Sequence, residues 1–284
     1  MPGVAGEAVT IQATTQASQA PMPAGLPVRL DDVSVSFPAA GGRLEALRNL
    51  SLDIPAGSLT VIIGPNGCGK STLLRVIAGL ITPTSGSVQV GGQSQLRAGD
   101  GRVGLAFQQP RLVPWLSTVD NVALPLTLAG MAAVQRRQRA IEALGRVGLA
   151  DAAGLRPAQL SGGMAQRAGL ARALIGEPPI LLLDEPFSAL DALTREGFDG
   201  ELQRLWVEGP RTVVLVTHSV DEAVRMADRI VVMTARPGSV ARVIPVDLPR
   251  PRPAANPAAA AIDAEVRAAL AEVHPAELTP WLDR

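Results

Sequence analysis

The chain has 284 residues, of which 47% are hydrophobic and 2% are aromatic, and its 26 Lys and Arg residues balance 26 Asp and Glu residues. This length and hydrophobic content are sufficient for a large buried core, which excludes an intrinsically disordered protein. A formal net charge of zero without a dense basic tract argues against a DNA or RNA partner. The single cysteine, Cys68, excludes an internal disulfide framework and a zinc cluster built from cysteines.

The first 26 residues predict a disordered leader. They contain no Lys or Arg and no apolar run of seven residues, so they match neither a secretory signal nor an anchor. No stretch of the sequence approaches the roughly 18 to 20 consecutive apolar residues that cross a bilayer. A role at a membrane would therefore require a partner that spans it.

Seven segments are rich in β-branched and aliphatic residues, which predicts strands. They cover residues 28–37, 58–64, 85–92, 103–108, 180–186, 212–218 and 229–235. The runs at 59–63, 180–184 and 212–217 are almost wholly apolar, as is typical of strands buried on both faces. Such strands belong to a parallel sheet covered by helices, so we expect an α/β fold.

Between residues 118 and 176 the apolar spacing changes to three and four residues, which predicts helices. The segments 134–149 and 161–175 show this spacing, so we expect an inserted helical subdomain at about 110–176. A Pro-rich stretch at 249–257 and an Ala-rich segment near 258–273 predict a tail with a short helix. The expected organisation is a leader at 1–26, one domain at 27–250 and a tail at 251–284.

The sequence GPNGCGKS at 64–71 fits the pattern G-x-x-x-x-G-K-[ST], between a predicted strand and a helix predicted at 70–80. Gly64, Gly67 and Gly69 allow the backbone to turn its N–H groups towards phosphate oxygens. The start of the following helix adds its positive end. The segment is therefore predicted to be a phosphate-binding loop, or P-loop.

Lys70 is the only lysine of the chain, although arginine fills every other basic position. A compact ammonium reaches the β- and γ-phosphate oxygens from within the loop, whereas a guanidinium is broader and prefers planar partners. Ser71 would offer its hydroxyl to Mg²⁺. The thiol of Cys68 has no accompanying base or metal ligand, so we expect no catalytic role for it.

Two acidic residues, Asp184 and Glu185, follow the apolar run of ILLLDEP. Beside a P-loop, the first carboxylate can hold Mg²⁺ and the second can orient and polarise a water for in-line attack. The sequence therefore predicts that hydrolysis of a nucleoside triphosphate takes place at the end of this strand.

A second anion-binding helix start is predicted at LSGGMAQR, residues 160–167, where Ser161, Gly162 and Gly163 open a helix. With this motif the chain resembles the ABC-type ATPases over nearly all of residues 28–246. The family motifs occur in order: an adenine-stacking aromatic (Phe37), Walker A (64–71), the Q-loop glutamine (Gln108), the signature (160–164), Walker B (180–184), the catalytic glutamate (Glu185), the D-loop SALD (188–191) and the switch histidine (His218).

The resemblance implies a P-loop NTPase fold with a parallel core sheet, an antiparallel β subdomain and an inserted helical subdomain. It implies ATP and Mg²⁺ as cofactors, with Mg²⁺ held by Ser71, Gln108 and Asp184 and hydrolysis supported by Lys70, Gln108, Glu185 and His218. Gln109 is an alternative to Gln108 as the Q-loop glutamine. For Phe37 the alternative to stacking on adenine is a position in the hydrophobic core. The nucleotide-binding residues implied are Phe37, Gly64, Pro65, Asn66, Gly67, Cys68, Gly69, Lys70, Ser71, Thr72, Ser161, Gly162, Gly163 and Asp191.

In this family the signature of one subunit closes on the ATP held by another, so the resemblance implies a head-to-tail homodimer with Ser188 and Asp191 at the seam. It also implies permease subunits in a membrane and, through them, a periplasmic solute-binding protein. The ATPase would then be a peripheral protein at the cytoplasmic face of the cell membrane. Within residues 108–126, Trp115, Leu116 and Val119 are candidate permease contacts, and burial in the subdomain is the alternative for each.

Several segments are similar to the nitrate, sulfonate and taurine group of bacterial importers, above all TARPGSVARVIPVDLPRPR at 234–252. Gln109 and Ser219 depart from that group, in which acidic residues are frequent at these positions. The alternatives from other classes are a soluble ABC ATPase acting on DNA or the ribosome, and a P-loop kinase or GTPase. The first usually carries coiled coils, tandem domains or basic arms, and the second lacks the signature and the switch histidine.

Overall fold

The computed structural model describes residues 25–94, 99–187, 211–250, 252 and 257–273. The strands in these ranges are β1 (Val28–Ala39), β2 (Gly42–Ile54), β3 (Leu59–Ile63), β4 (Ser85–Val90), β5 (Gln93–Ser94), β6 (Val103–Ala106), β7 (Ile180–Asp184), β8 (Thr212–Val216), β9 (Arg229–Met233) and β10 (Val240–Pro245). The helices are α1 (Lys70–Ile77), α2 (Thr118–Leu128), α3 (Ala133–Arg146), α4 (Gly162–Leu174), α5 (Val220–Met226) and α6 (Ala260–Val273). Residues 1–24 of the predicted leader lie outside the described ranges.

The larger sheet has the strand order β10-β9-β3-β8-β7-β6. Its strands pair in parallel, except for β10, which forms an antiparallel edge on β9. Every residue of β3, β7 and β8 is buried, because these apolar strands are covered on both faces. The prediction of an α/β fold with a parallel core sheet is confirmed.

The smaller sheet is antiparallel, with the order β2-β1-β4-β5. Its main unit is the long hairpin of β1 and β2, and β2 was not among the strands predicted from the sequence. Alternation of apolar and polar residues along β2 is interrupted at Asn49, which has a φ of 42° and lies where the register with β1 shifts. This bulge hides the period of two that identifies a strand.

Three helices lie between β6 and β7 and share one apolar core with the parallel sheet. Val122 of α2, Leu144 of α3 and Ala168 of α4 are fully buried in the cluster that also contains Leu183 of β7. Ser117 begins α2, since its side-chain oxygen accepts a hydrogen bond from the Asp120 amide at 3.2 Å. The helical segment is therefore packed directly onto the core sheet.

The segment after β10 is fastened to the core by an arginine. Arg252 is 4% exposed, and its guanidinium donates to the carbonyl oxygens of Val224 and Ala227 at the end of α5. It also donates to the Val246 and Leu248 carbonyls. Arg252 therefore caps a core helix, and α6 adds Val266 and Ala269 to the buried residues. Within the described ranges, every helix falls short of the length or hydrophobicity that a bilayer-spanning segment requires.

Contact between β6 and the end of α4 leaves no room for a side chain at Gly104. A Cβ atom there would lie 2.2 Å from the Ala173 carbonyl oxygen and 2.7 Å from Pro178. We expect Gly104→Ala to lower the free energy of unfolding by about 1–3 kcal/mol, because the helix must move away from the sheet. Urea denaturation of the purified protein measures this change.

Gly145→Ala is the matched control for that experiment. Gly145 lies in α3 with nothing within 4 Å of its Cβ position. The same substitution there should raise the free energy of unfolding by about 0.5–1 kcal/mol, because alanine is the better helix former. Equal stability of Gly104→Ala and the unmodified protein would contradict the close packing of α4 on β6.

Candidate functional site

The P-loop joins β3 to α1 through a backbone that only glycine adopts without strain at two positions. Gly67 has a φ of 72° and Gly69 a φ of 107°. At Gly69 a Cβ atom would lie 2.7 Å from Leu47 and 2.8 Å from the Ala46 carbonyl, so β2 presses directly on the loop. The first helical hydrogen bond of α1 runs from the Leu73 amide to the Gly69 carbonyl at 2.9 Å, which leaves the earlier amides for a ligand.

Lys70 is 7% exposed and folds back into the loop that carries it. Its Nζ donates to the carbonyl oxygens of Gly64 at 2.7 Å and Pro65 at 3.0 Å. The buried Cys68 thiol lies 3.9 Å from the same nitrogen. Burial raises the pKa of this thiol, and the positive charge of Lys70 acts in the opposite direction. An ammonium held by two carbonyl dipoles can transfer its hydrogen bonds to phosphate oxygens.

Ser71 and Asp184 bring two oxygen ligands together across the end of the sheet. The Ser71 hydroxyl donates to Asp184 Oδ1 at 3.0 Å. Asp184 is 5% exposed, and this burial raises the pKa of its carboxyl group. The hydrogen bond from Ser71 lowers this pKa, and the negative charge of Glu185 raises it further. A hydroxyl and a buried carboxylate are the oxygen ligands that Mg²⁺ prefers, so these residues fit the ion.

Glu185 is held in a backbone conformation that is rare for a residue with a side chain, with a φ of 45°. Its amide donates to the Val216 carbonyl at 2.9 Å, which fixes the turn after β7 against the end of β8. The Oε2 atom of Glu185 accepts a hydrogen bond from Gln108 Nε2 at 2.8 Å. His218 Nδ1 lies 3.6 Å from the same oxygen. One carboxylate oxygen is thus approached by groups from two other segments of the chain.

A buried network beside His218 escaped the sequence interpretation. The Thr217 hydroxyl donates to Glu222 Oε2 at 2.5 Å and accepts a hydrogen bond from the Ser219 amide at 3.0 Å. Glu222 and Thr217 are 6% and 2% exposed, whereas the His218 side chain is 64% exposed. Hydrogen bonds therefore fix Thr217 and Ser219 on either side of His218, while the imidazole of His218 remains accessible. The signal was present in THSVDEA, since Ser219 begins α5 with Glu222 three residues later.

The signature residues lie at the start of α4. Ser161 has extended backbone angles and its Oγ accepts a hydrogen bond from the Met164 amide at 3.2 Å, so it is the cap of the helix. Ser161 and Gly162 are exposed, and Gly163 is half-buried. The exposed helix start is accessible to an anion that another molecule carries.

Phe37 is half-buried in β1 opposite Leu44 of β2, in the hairpin whose Leu47 contacts the P-loop. It packs against the apolar cluster beneath this hairpin. Gln109 is exposed beside Gln108. The predicted D-loop residues Ser188 and Asp191 lie outside the described residues.

The predicted permease contacts divide into exposed and buried residues. Val119 is 1% exposed and belongs to the core of the helical segment, whereas Trp115 is 73% exposed. Leu116 is half-buried. Trp115 is therefore the most accessible of the three apolar side chains.

Comparison with known proteins identifies relatives of the whole ATP-binding region. The ABC transporter family model matches residues 47–188. The taurine import ATP-binding protein TauB of Pseudomonas aeruginosa is 48% identical over 77% of this chain and 82% of its own length. The aliphatic sulfonates import ATP-binding protein SsuB 1 of Mesorhizobium japonicum is 53% identical over 72% of this chain and 76% of its own length.

A solved structure supports the same relationship. The ATP-binding cassette MJ0796, described as a dimeric post-hydrolysis state bound to ADP and Pi, superposes with a TM-score of 0.72 and 36% identity. The match covers 78% of this chain and 99% of that cassette. Sequence and fold agree over the region that contains the P-loop, Asp184 and Glu185, and the chain belongs to the family of ABC transporter ATP-binding proteins.

Proposed function

We propose that the protein hydrolyses ATP to energise an importer of a small anion or a sulfur or nitrogen compound of the nitrate, aliphatic sulfonate or taurine type. The observation that carries the catalytic part is the convergence of Gln108 and His218 on one oxygen of Glu185, beside Ser71 and Asp184. The relatives named as taurine and sulfonate import proteins support the substrate class. They favour an importer over a soluble ABC ATPase acting on DNA or the ribosome.

ATP binding would exchange the internal hydrogen bonds of the P-loop for bonds to phosphate. Lys70 would leave the carbonyls of Gly64 and Pro65 and donate to the β- and γ-phosphates. The amides after Gly67 and the start of α1 would bind the same oxygens. Phe37 would stack on the adenine from the hairpin beside the loop. The loop residues assigned to the nucleotide remain Gly64, Pro65, Asn66, Gly67, Cys68, Gly69, Lys70, Ser71 and Thr72.

Ser71, Asp184 and Gln108 would hold Mg²⁺ with the phosphates. The ion supplies positive charge to the phosphate oxygens when it is bound. Asp184 is suited to this role because burial makes its charged carboxylate unfavourable unless a positive ion lies beside it. The side-chain oxygen of Gln108 is available to a cation, because the hydrogen bond to Glu185 uses its amide nitrogen.

Glu185 would orient and polarise the water that attacks the γ-phosphorus. Its exposed neighbour His218 would contact the γ-phosphate and help to hold that water, while Gln108 would adjust the carboxylate through their hydrogen bond. The positive φ of Glu185 places this residue in a sparsely populated backbone region, as is common at functional sites. The residues therefore serve mainly to position the water and stabilise charge.

A second copy of the chain would complete each ATP site in a head-to-tail homodimer. The partner's Ser161 and the helix start behind it would bind the γ-phosphate from the other side, with Gly162 and Gly163 allowing close approach. The exposure of Ser161 supports this arrangement, as do related cassettes whose solved structures are described as dimeric. Asp191 would lie at the seam. ATP would thus stabilise the dimer, and its hydrolysis would release it.

Permease subunits would span the membrane, with the ATPase bound at the cytoplasmic face. Trp115 is the candidate contact, because 73% of this large apolar side chain is exposed. Leu116 would contribute its accessible part, whereas the buried Val119 would not contact a partner. Substrate specificity would reside in the permease and in a periplasmic solute-binding protein.

Replacing Lys70 tests the phosphate-binding assignment. Lys70→Ala should lower ATP turnover roughly 100-fold or more, because the loop loses the charge that faces the phosphates. Lys70→Arg should be similarly impaired, because a planar guanidinium does not fit where the compact ammonium lies. Steady-state phosphate release and ATP binding by calorimetry measure both effects. Normal turnover by Lys70→Ala would contradict the assignment.

Replacing Glu185 separates ATP binding from hydrolysis. Glu185→Gln should still bind ATP but hydrolyse it roughly 100-fold more slowly, because an amide cannot act as the base for the water. The variant should elute as a dimer in gel filtration with ATP and as a monomer without it. Glu272→Gln is the control, since Glu272 lies on α6 in an exposed pair with Arg242. A Glu185→Gln variant that stays monomeric with ATP would count against the two-subunit site.

Trp115 tests the membrane partner. When the chain is expressed together with its permease subunits, Trp115→Ala should reduce the co-purified permease about tenfold, because a large apolar contact is lost. The ATPase rate of the isolated subunit should stay within about twofold of normal, since this side chain contacts solvent. Val243→Ala is the control, because Val243 is 39% exposed on β10. Undiminished capture by the Trp115 variant would exclude Trp115 as a main contact.

A further inference from the structure

The turn between β9 and β10 has a closed conformation of its own. The Thr234 amide donates to the Ser239 carbonyl at 3.0 Å, and the Ser239 amide donates to the Thr234 hydroxyl oxygen at 2.9 Å. The Thr234 hydroxyl also lies 3.3 Å from the Pro237 carbonyl oxygen. These bonds hold residues 234–239 as one unit, so Arg236 projects from a turn whose shape is fixed at both ends.

Gly238 seats this turn between the hairpin and the P-loop. Its amide donates to the Ala46 carbonyl at 2.9 Å, and its carbonyl accepts from the Arg48 amide at 3.0 Å. On the other side, a Cβ atom at Gly238 would lie 2.0 Å from the Cys68 carbonyl oxygen. The turn therefore touches the P-loop so closely that no side chain fits between them.

Arg236 holds the outer side of the P-loop. Its Nε donates to the Gly67 carbonyl oxygen at 2.9 Å, across 169 residues of sequence. A Cβ atom at Gly67 would lie 3.0 Å from Nη2 of the same guanidinium. Because the peptide group is planar, fixing the Gly67 carbonyl also fixes the direction of the Cys68 N–H, which points the opposite way and donates to the Pro65 carbonyl at 3.3 Å. The arginine thus fixes the peptide group between Gly67 and Cys68, and with it the turn that leads to the amides at the start of α1.

The charge of Arg236 is also felt within the loop. Burial raises the pKa of the Cys68 thiol, and the positive charges of Lys70 and Arg236 act in the opposite direction. A group that favours a thiolate in the loop also favours the negative charge of a phosphate beside it. The positive charge of Arg236 therefore favours a bound phosphate, in addition to the effect of its hydrogen bond on the loop backbone.

We propose that Arg236 is a positioning residue for nucleotide binding, which holds the P-loop amides in the conformation that receives the phosphates. The proposal rests on ATP binding at the P-loop. It assigns Arg236 no part in the attack on the γ-phosphorus, because its contact is with the far side of the loop. Loss of the guanidinium should therefore weaken ATP binding and leave the rate of the bound complex nearly unchanged.

Cys68 provides a built-in probe of this loop, because it is the only cysteine of the chain and its side chain is fully buried. Reaction with a thiol reagent such as dithionitrobenzoate requires the P-loop to open. In the absence of nucleotide, Arg236→Ala should label about tenfold faster than the unmodified protein, since a charge-assisted hydrogen bond is lost. Its KM for ATP should rise about tenfold with kcat within about twofold.

Two further variants separate positioning from general stability. Arg236→Lys retains the charge and one donor nitrogen but not the planar guanidinium. Its labelling rate and KM should therefore lie between those of the unmodified protein and of Arg236→Ala. Arg242→Ala removes an exposed arginine of β10 paired with Glu272 at 3.1 Å, and should behave as the unmodified protein. The melting temperature of each variant should change by less than about 3 °C.

Three results would overturn the proposal. The first is unchanged Cys68 labelling in Arg236→Ala, and the second is a fall in kcat with an unchanged KM, which would place Arg236 in the chemical step. The third is a loss of melting temperature large enough to account for faster labelling throughout the molecule. If the unmodified protein fails to bind ATP, the proposed function fails instead, while labelling of the nucleotide-free proteins still tests the contact between Arg236 and the loop.

Discussion

The parallel pairing of β3, β8 and β7 is the constraint on which the site depends. Ile62 pairs with Val216 and Asp184 pairs with the same Val216, so the three strands end at one edge of the sheet. Because these strands are buried on both faces, their register is fixed by packing as well as by hydrogen bonds. The P-loop, the acidic pair and His218 each follow one of these ends. The sheet itself therefore brings together residues that are more than 100 positions apart in the sequence.

Polar groups at this edge of the sheet form hydrogen bonds with one another and with the backbone. Lys70 donates to backbone carbonyls, Ser71 donates to Asp184, and Gln108 donates to Glu185. A buried ammonium or carboxylate without a partner would cost several kcal/mol, so these bonds stabilise the site. Each is also a bond that a phosphate, a metal ion or a water can replace. Ligand binding then exchanges one hydrogen-bond partner for another, and the charged groups do not have to be removed from water at that step.

The sequence allowed prediction of those parts of the site that are local. The P-loop, the acidic pair and the helix start at Ser161 are each contained in a few consecutive residues, and the strands beside them are uninterrupted apolar runs. Features that depend on tertiary contacts were missed. The bulge at Asn49 concealed β2, and the capping of α5 by Arg252 joins segments whose local sequence carries no sign of the contact. The choice between a buried Val119 and an exposed Trp115 likewise required the packing of the helical segment.

The P-loop is also one place where the two sheets meet, and this gives the P-loop and the hairpin of β1 and β2 a common support. Gly69 rests on Ala46 and Leu47 of β2, while Gly238 bonds to the same stretch of β2 and touches Cys68 from the other side. The hairpin that contains β2 also carries Phe37. A displacement of this hairpin must therefore alter the P-loop, because the contacts at Gly69 and Gly238 leave no space to absorb it. Close packing around glycines thus couples the hairpin that carries Phe37 to the P-loop through the backbone itself.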